Sequence, residues 1–270
     1  MALMAMSKLA LLVGHGELAV AAQYAVRETY QGDFSVWSMV GTAEDAADNV
    51  DVGHPLELIE RLRAEKIKTL CAVGAVDLSP ELRENVGKYL VQHYQGKLDV
   101  SDMGLETAYR TIAKDARVEI LGIHELVPQL LAGTGHVAGP ACDFKTNQIE
   151  NMLRLARTVA RTDLGQSMIF HGARPVAAED VLGTDNLLAR AKDIAAAFKT
   201  NSGELVLVKV AKPQQSGLGD LPTIGPNTIE NCVDARIGTI IVEGEKCLIA
   251  DRQRFIQLAE KHRVSVVGWG

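Results

Sequence analysis

The sequence predicts an α/β protein built from an N-terminal Rossmann-like doubly wound domain and a C-terminal mixed α/β domain, with a ligand cleft between them. Three observations carry this expectation. Through about residue 130, short apolar runs alternate with amphipathic stretches, the pattern of parallel strands covered by helices. Between Ala132 and Phe144 the apolar period stops and Gly133, Gly135 and Gly139 take over, which marks a linker over 133–144 between domains 1–132 and 145–270. The length of 270 residues also exceeds the ~100 to 200 residues of a typical single domain.

Leu9 to Val13 reads as the first strand, ended by Gly14-His15-Gly16, and Glu17 to Arg27 as a helix with Leu18, Ala21, Ala22 and Ala25 inward. Phe34 to Val40 is the next strand. Pro55 stands at a first helical turn, followed by Leu56, Ile59 and Leu62 at helical spacing and a strand from Ile67 to Val73. Ser79-Pro80-Glu81 signals a helix start, as does Ser101-Asp102, and Val118 to Ile123 returns as strand. After the linker come a helix over Asn147 to Thr162 and a strand at Ser167 to Phe170. A second strand ends at Ala178, and a helix runs from Thr184-Asp185 through Phe198. Glu204 to Val210 alternates, with Leu205, Leu207 and Lys209 opposite Val206, Val208 and Val210. A long Gly/Pro loop from Lys212 to Pro226 leads to a helix from Asn227, two strands around Gly244, a helix over Asp251 to His262 and a last strand at Val264 to Val267.

Composition removes several classes of function. A hydrophobic fraction of 47% and a charged fraction of 23% are ordinary globular values, so disordered and low-complexity architectures are excluded. With 28 Lys+Arg against 34 Asp+Glu the net charge is −6, which argues against nucleic acid as a partner. The stretch Leu9 to Val13 falls far short of the ~18 to 20 residues of a membrane span. Cys71, Cys142, Cys232 and Cys247 lie far apart without a C-x-x-C pair, so reduced thiols in a cytoplasmic protein are expected. None of the seven His lies at i, i+4 to another, and no G-x-S-x-G elbow occurs, which argues against helical zinc sites and serine hydrolase chemistry.

Three segments can carry chemistry. Gly14-His15-Gly16-Glu17-Leu18-Ala19 matches G-x-G-x-x-A between strand and helix, so Gly14, Gly16 and Glu17 are candidate ligand contacts at a helix N-terminus. The same motif admits an NAD-dependent oxidoreductase or a merely tight turn. Against NAD, no carboxylate ends the second strand, and Glu44 and Asp45 come a turn late. The second segment is the loop from Lys212 through Gln215, Asp220 and Thr223 to Gly225, which leaves a strand where open α/β sheets bind ligands. There Lys212 could neutralise a phosphate and Asp220 could hold a divalent cation or orient water, although an exposed loop with solvated charges fits the spacing as well. Third, Gly183-Thr184-Asp185 opens a helix, so that Thr184 or Asp185 is expected to cap its amides. Glu179, Asp180 and Asp185 could equally make a magnesium-type oxygen site.

These motifs in this order, with Gly74-Ala75-Val76 and Val208-Lys209-Val210-Ala211-Lys212-Pro213 between them, resemble the UDP-2,3-diacylglucosamine pyrophosphatase family of the LpxI type nearly end to end. The resemblance implies a two-domain cytoplasmic enzyme, at most peripheral to the inner membrane, that hydrolyses UDP-2,3-diacylglucosamine to lipid X and UMP in lipid A biosynthesis. It further implies help from a divalent metal such as Mg. The family's Lys-Pro-x-Gln falls on Lys212, Pro213 and Gln215, and its Asp-x-Pro-x-Ile-Gly on Asp220, Pro222, Ile224 and Gly225. Its Gly-Thr-Asp falls on Gly183, Thr184 and Asp185, with Glu179 ahead. Carried over, Asp220 and Lys212 are catalytic, and Asp220, Asp185 and Glu179 are metal ligands. Gly14, Gly16, Glu17, Gln215, Thr184, Thr223 and Gly225 contact substrate. The chain departs from the pattern at Ser216, Leu218, Leu182 and Ala75, where the family carries Asp, Arg, Glu and Lys. The alternative is therefore a relative that binds a nucleotide-sugar lipid or similar ligand as sensor or scaffold without turning it over. A homodimer is the prior for oligomeric state.

Overall fold

The structure, a computed structural model, describes residues 7–39, 48–76, 79–94, 102–200, 203–213, 217–218 and 221–270. The chain forms two α/β units, the first comprising Met1–Pro128 with Ser216–Asp220 and the second Gln129–Gln215 with Leu221–Gly270.

In the first unit, strands β1 (Leu9–Val13), β2 (Phe34–Met39), β3 (Asp48–Val50), β4 (Thr69–Val73) and β5 (Glu119–Ile120) form one sheet in the order β3-β2-β1-β4-β5. Every pairing in it is parallel. Helices α1 (Glu17–Thr29), α2 (Pro55–Ala64), α3 (Pro80–Tyr94), α4 (Asp102–Ala116) and the single turn α5 (Ile123–Leu126) are interspersed with the strands, α3 and α4 both falling between β4 and β5. All five residues of β1 are buried, as expected for a parallel strand covered on both faces. Ala10 and Leu12 pack with Trp37, Leu70 and the inward residues of α2, α3 and α4, including Leu58, Leu62, Val86 and Ile112. Helix α1 buries Ala19, Ala22 and Val26. Burial of each such Leu or Ile contributes roughly 1.5 to 3 kcal/mol.

The second unit has a six-stranded mixed sheet. Strand β6 (Gly135–Ala138) pairs antiparallel to β13 (Ser265–Trp269), which is parallel to β11 (Ile237–Glu243), itself parallel to β9 (Leu205–Lys209). On the far side of β9 come β7 (Ser167–His171) and β8 (Arg174–Ala178), both joined antiparallel. A small parallel pair, β10 (Thr223–Ile224) with β12 (Leu248–Ile249), stands apart. The helices are α6 (Thr146–Ala160), α7 (Gly183–Phe198), α8 (Pro226–Asp234) and α9 (Arg252–His262). Both faces of β9 are covered. Leu205 and Leu207 join a core with Leu187, Ile229 and Phe255 of α7, α8 and α9, while Val206 and Val208 join Ile149, Met152 and Leu153 of α6.

The glycine-rich stretch read as a linker is structured. Residues 133–144 include β6, whose Ala138 pairs with Val266, and the second unit begins at Gln129. A strand of four residues with two glycines offers no apolar alternation to read, and its backbone pairing alone places it. The turn of residues Pro128–Leu130 that precedes it is held by Arg252, whose guanidinium donates to the carbonyls of Gln129 and Leu131. Among the described residues no helix is long and apolar enough to cross a membrane.

Candidate active site

In the first unit, Gly14-His15-Gly16 leaves the carboxyl end of β1 and lies against Gly74-Ala75 at the carboxyl end of β4. The amide of Gly14 donates to the Val73 carbonyl at 2.8 Å, and His15 and Ala75 exchange amide-to-carbonyl bonds of 2.9 and 3.0 Å. A Cβ at position 14 would stand 2.1 Å from the Ala75 carbonyl oxygen, so only glycine allows this approach. Gly16 then takes φ 103°, and Glu17, half-buried, opens α1. Chain order reverses between β1 and β4, and it is outside the carboxyl ends of strands at such a point that open α/β sheets take ligands. Gly122, just past β5, belongs to the same edge: the Gly217 carbonyl lies 3.0 Å from where its Cβ would be.

In the second unit, the carboxyl ends of β9 and β11 gather buried charge. Lys209, the last residue of β9, is 7% exposed. Its ammonium donates to the Thr184 hydroxyl at 3.1 Å and to the Thr223 carbonyl at 3.0 Å. The Thr184 hydroxyl donates to Glu179 Oε1 at 3.0 Å, and the Gln166 amide donates to Glu179 Oε2 at 3.0 Å. Since the one hydroxyl proton of Thr184 goes to the carboxylate, Ser167, 3.1 Å away, donates to Thr184. Thr184 Oγ1 therefore gives one hydrogen bond and accepts two, its full capacity. A buried carboxylate and a buried ammonium are thus joined through one hydroxyl, which satisfies both ions where water does not reach.

One strand away, Glu243 ends β11 and is 4% exposed. Its Oε2 accepts the Ala211 amide at 3.0 Å, while Oε1 accepts from Arg157 at 2.8 Å and Lys246 at 3.2 Å. Burial alone would raise the Glu243 pKa, but the Ala211 amide, Lys246 and Arg157 together outweigh it and hold the carboxyl below its ordinary value. Lys212, next along the chain, is mostly buried, and its ammonium pairs with Asp163 Oδ1 at 2.9 Å.

Of the residues expected to form the site, Glu179, Thr184 and Thr223 meet at Lys209, whereas Asp185 turns elsewhere and accepts from Asn231 of α8 at 3.2 Å. Gly225 precedes α8 and its amide donates to the Thr228 hydroxyl at 3.1 Å. Asp220, Gln215 and Ser216 lie outside the described residues, as do Glu44 and Asp45. The expected capping of α7 by Thr184 or Asp185 is not what occurs. Leu182 is the N-cap without a side-chain cap, Thr184 bonds Glu179, and Asp180 makes the turn by accepting the Leu182 amide at 2.9 Å. The described residues do not fit a protein-held divalent cation: both Glu179 oxygens are engaged, and no group of three or more His, Cys, Asp or Glu occurs among them.

Sequence reasoning singled out neither Lys209 nor Glu243 as functional. For Lys209 a signal existed, because its strand alternation places a cation on the same face as Leu205 and Leu207, and a lysine on an apolar strand face needs partners. For Glu243 the signal is weaker, a lone acid closing an apolar run. Cys232 and Cys247 lie within the field of Lys209, yet burial dominates: it raises the Cys232 thiol and pushes Cys247 up to about 12.

A mostly buried lysine beside two buried ion networks at the carboxyl ends of β9 and β11, and a glycine loop at the carboxyl ends of β1 and β4, define an α/β protein with a candidate anion-handling feature in each of its two units. Residues 135–267 match the LpxI C-terminal domain. Over 97% of its length the chain is 28% identical to UDP-2,3-diacylglucosamine pyrophosphatase LpxI of Caulobacter vibrioides, covering 98% of that protein. The chain is thus similar to LpxI proteins along nearly its whole length, and its C-terminal part to the LpxI C-terminal domain.

Proposed function

We propose that the protein hydrolyses the pyrophosphate of UDP-2,3-diacylglucosamine, releasing lipid X and UMP, and so acts in lipid A biosynthesis in the cytoplasm. The observation that carries this reading is the end-to-end match to the Caulobacter pyrophosphatase, joined to the ammonium of Lys212 at the carboxyl edge of the second sheet. In the reaction the oxygen of water adds to one phosphorus and the bond from that phosphorus to the bridging oxygen breaks, so the other phosphate leaves with an added negative charge. Lys212 offsets that charge once phosphate displaces Asp163 from its ammonium. The Rossmann-like turn of Gly14, Gly16 and Glu17 offers backbone amides and a helix N-terminus to the nucleotide phosphate. Asp220 orients the water. A divalent cation such as magnesium would be held by Asp220 and the phosphate oxygens of the substrate, and would offset their negative charge.

The test is incubation of purified protein with UDP-2,3-diacylglucosamine and Mg²⁺, followed by mass spectrometry for lipid X and UMP. A second reading, binding without turnover, is favoured by Leu182, which is 66% exposed where the family carries a Glu. Under that reading, restoring charge with Ser216→Asp, Leu218→Arg, Leu182→Glu and Ala75→Lys creates hydrolysis from none.

A further inference from the structure

We infer that Lys209 and Glu243 are positioning residues, two buried charges that each grip one root of the loop running from Ala211 to Thr223. The inference rests on the hydrolytic reading above for its kinetic consequence, but the grip itself is a matter of geometry. At the outgoing root, Glu243 Oε2 accepts the Ala211 amide at 3.0 Å, one residue before Lys212. At the returning root, Lys209 Nζ donates to the Thr223 carbonyl at 3.0 Å, two residues before Gly225 and the start of α8. The two charges end neighbouring parallel strands, and each is held from behind. Glu243 is braced by Arg157 of α6 and by Lys246, and Lys209 by the hydroxyl of Thr184, itself fixed to Glu179.

Backbone groups that leave a sheet usually find water or turn partners. Here both are held by ionised side chains, 7% and 4% exposed, whose bonds are stronger than neutral ones. Fixing the roots restricts the direction in which Lys212, one residue past Ala211, leaves the sheet. A misplacement of about 1 Å can cost on the order of 100-fold in rate, so the grip bears on kcat more than on binding.

Lys209→Met alone leaves the buried Glu179 carboxylate without the cation that faces it through the Thr184 hydroxyl and lowers stability, which would confuse positioning with folding. The decisive variant is Glu179→Gln with Lys209→Met, which removes both buried charges together and leaves the Thr223 carbonyl without its ammonium. The expected result is a Tm recovered toward wild type together with a kcat on UDP-2,3-diacylglucosamine reduced about 10- to 100-fold and KM changed by less than about threefold. Wild-type kcat in that double variant overturns the inference. At the other root, Glu243→Gln retains an oxygen for the Ala211 amide and is expected to keep most of kcat, whereas Glu243→Met loses it. Equal kcat in the two overturns the inference even if the double variant fails to fold.

If the wild-type protein releases no lipid X, the hydrolytic reading fails on its own, and hydrogen exchange decides the grip. Faster exchange of the Leu221, Thr223, Ile224 and Gly225 amides in the double variant, with exchange in the α6 core unchanged, supports it. Equal exchange overturns it.

Discussion

The carboxylate of Glu243 accepts the backbone amide of Ala211 at 3.0 Å, and this one bond ties the end of β11 to the second residue beyond the end of β9. The bond matters because Ala211 immediately precedes Lys212, so the direction in which that ammonium leaves the sheet is set by a buried acid on the neighbouring strand. The remaining oxygen of Glu243 faces Arg157 and Lys246, which are 39% and 59% exposed. Those ion pairs are screened by solvent and contribute little by themselves. The amide bond is the interaction with structural consequence.

A pH dependence follows from the depressed pKa of Glu243. A carboxyl group whose folded pKa lies below its unfolded value, about 4.3 for Glu, adds stability that is fully present above that value and is lost as pH falls through the folded one. Wild type is therefore expected to lose Tm more steeply than Glu243→Gln as pH is lowered from about 5 toward 3. At pH 7, Glu243→Leu leaves the Ala211 amide without its partner and is expected to cost about 1 to 3 kcal/mol. Thermal melts of the three proteins across pH check both statements, and parallel acid limbs for wild type and Glu243→Gln would contradict the first.

Thiol reactivity is expected to divide the four cysteines. Burial, with a further contribution from the charge of Glu125, pushes the Cys71 thiol up to about 12, and burial likewise raises Cys232 and Cys247. Cys142 is half-buried and outside that group. A disulfide reagent at pH 8 should titrate one thiol quickly in the native protein and four after unfolding. Rapid native reaction at two or more sites would contradict the burial described.

Gly14→Ala is expected to be destabilising by about 1 to 3 kcal/mol. Its Cβ would be driven to 2.1 Å from the Ala75 carbonyl oxygen, which is backbone and cannot rotate away. Gly133→Ala, whose Cβ meets nothing within 4 Å, is the control. Denaturant midpoints for the two variants should separate, and a Gly14→Ala midpoint equal to wild type would show that the β1 and β4 turns do not approach as closely as described.

The strands and helices were legible where periodicity is strong. Leu9–Val13, Thr69–Val73 and Leu205–Lys209 announce themselves as short apolar runs, and Pro80 and Asp251 mark helix starts that the structure keeps, the latter capping through the Arg254 amide. Strands β6 and β10 were not legible, because a four-residue and a two-residue strand are defined by backbone partners far away in sequence rather than by their own pattern. The site was legible as a set of residue types and much less as a set of partners. Thr184 and Glu179 were singled out for a metal or a cap, but they bond each other, and the further partner of Thr184 is Lys209, 25 residues on and on a different element. Ion networks of this kind are tertiary facts. Local spacing shows that a buried lysine needs a partner and leaves open which residue it meets.

The most direct measurement of the central claim is the rate of UMP and lipid X formation from UDP-2,3-diacylglucosamine by wild type, Lys212→Met and Asp220→Asn, each first shown to be folded by its melting curve. Steady release of both products by wild type is expected, with a loss of roughly 100- to 1000-fold in kcat for either variant. No product from folded wild type, or undiminished turnover by Lys212→Met, would contradict it.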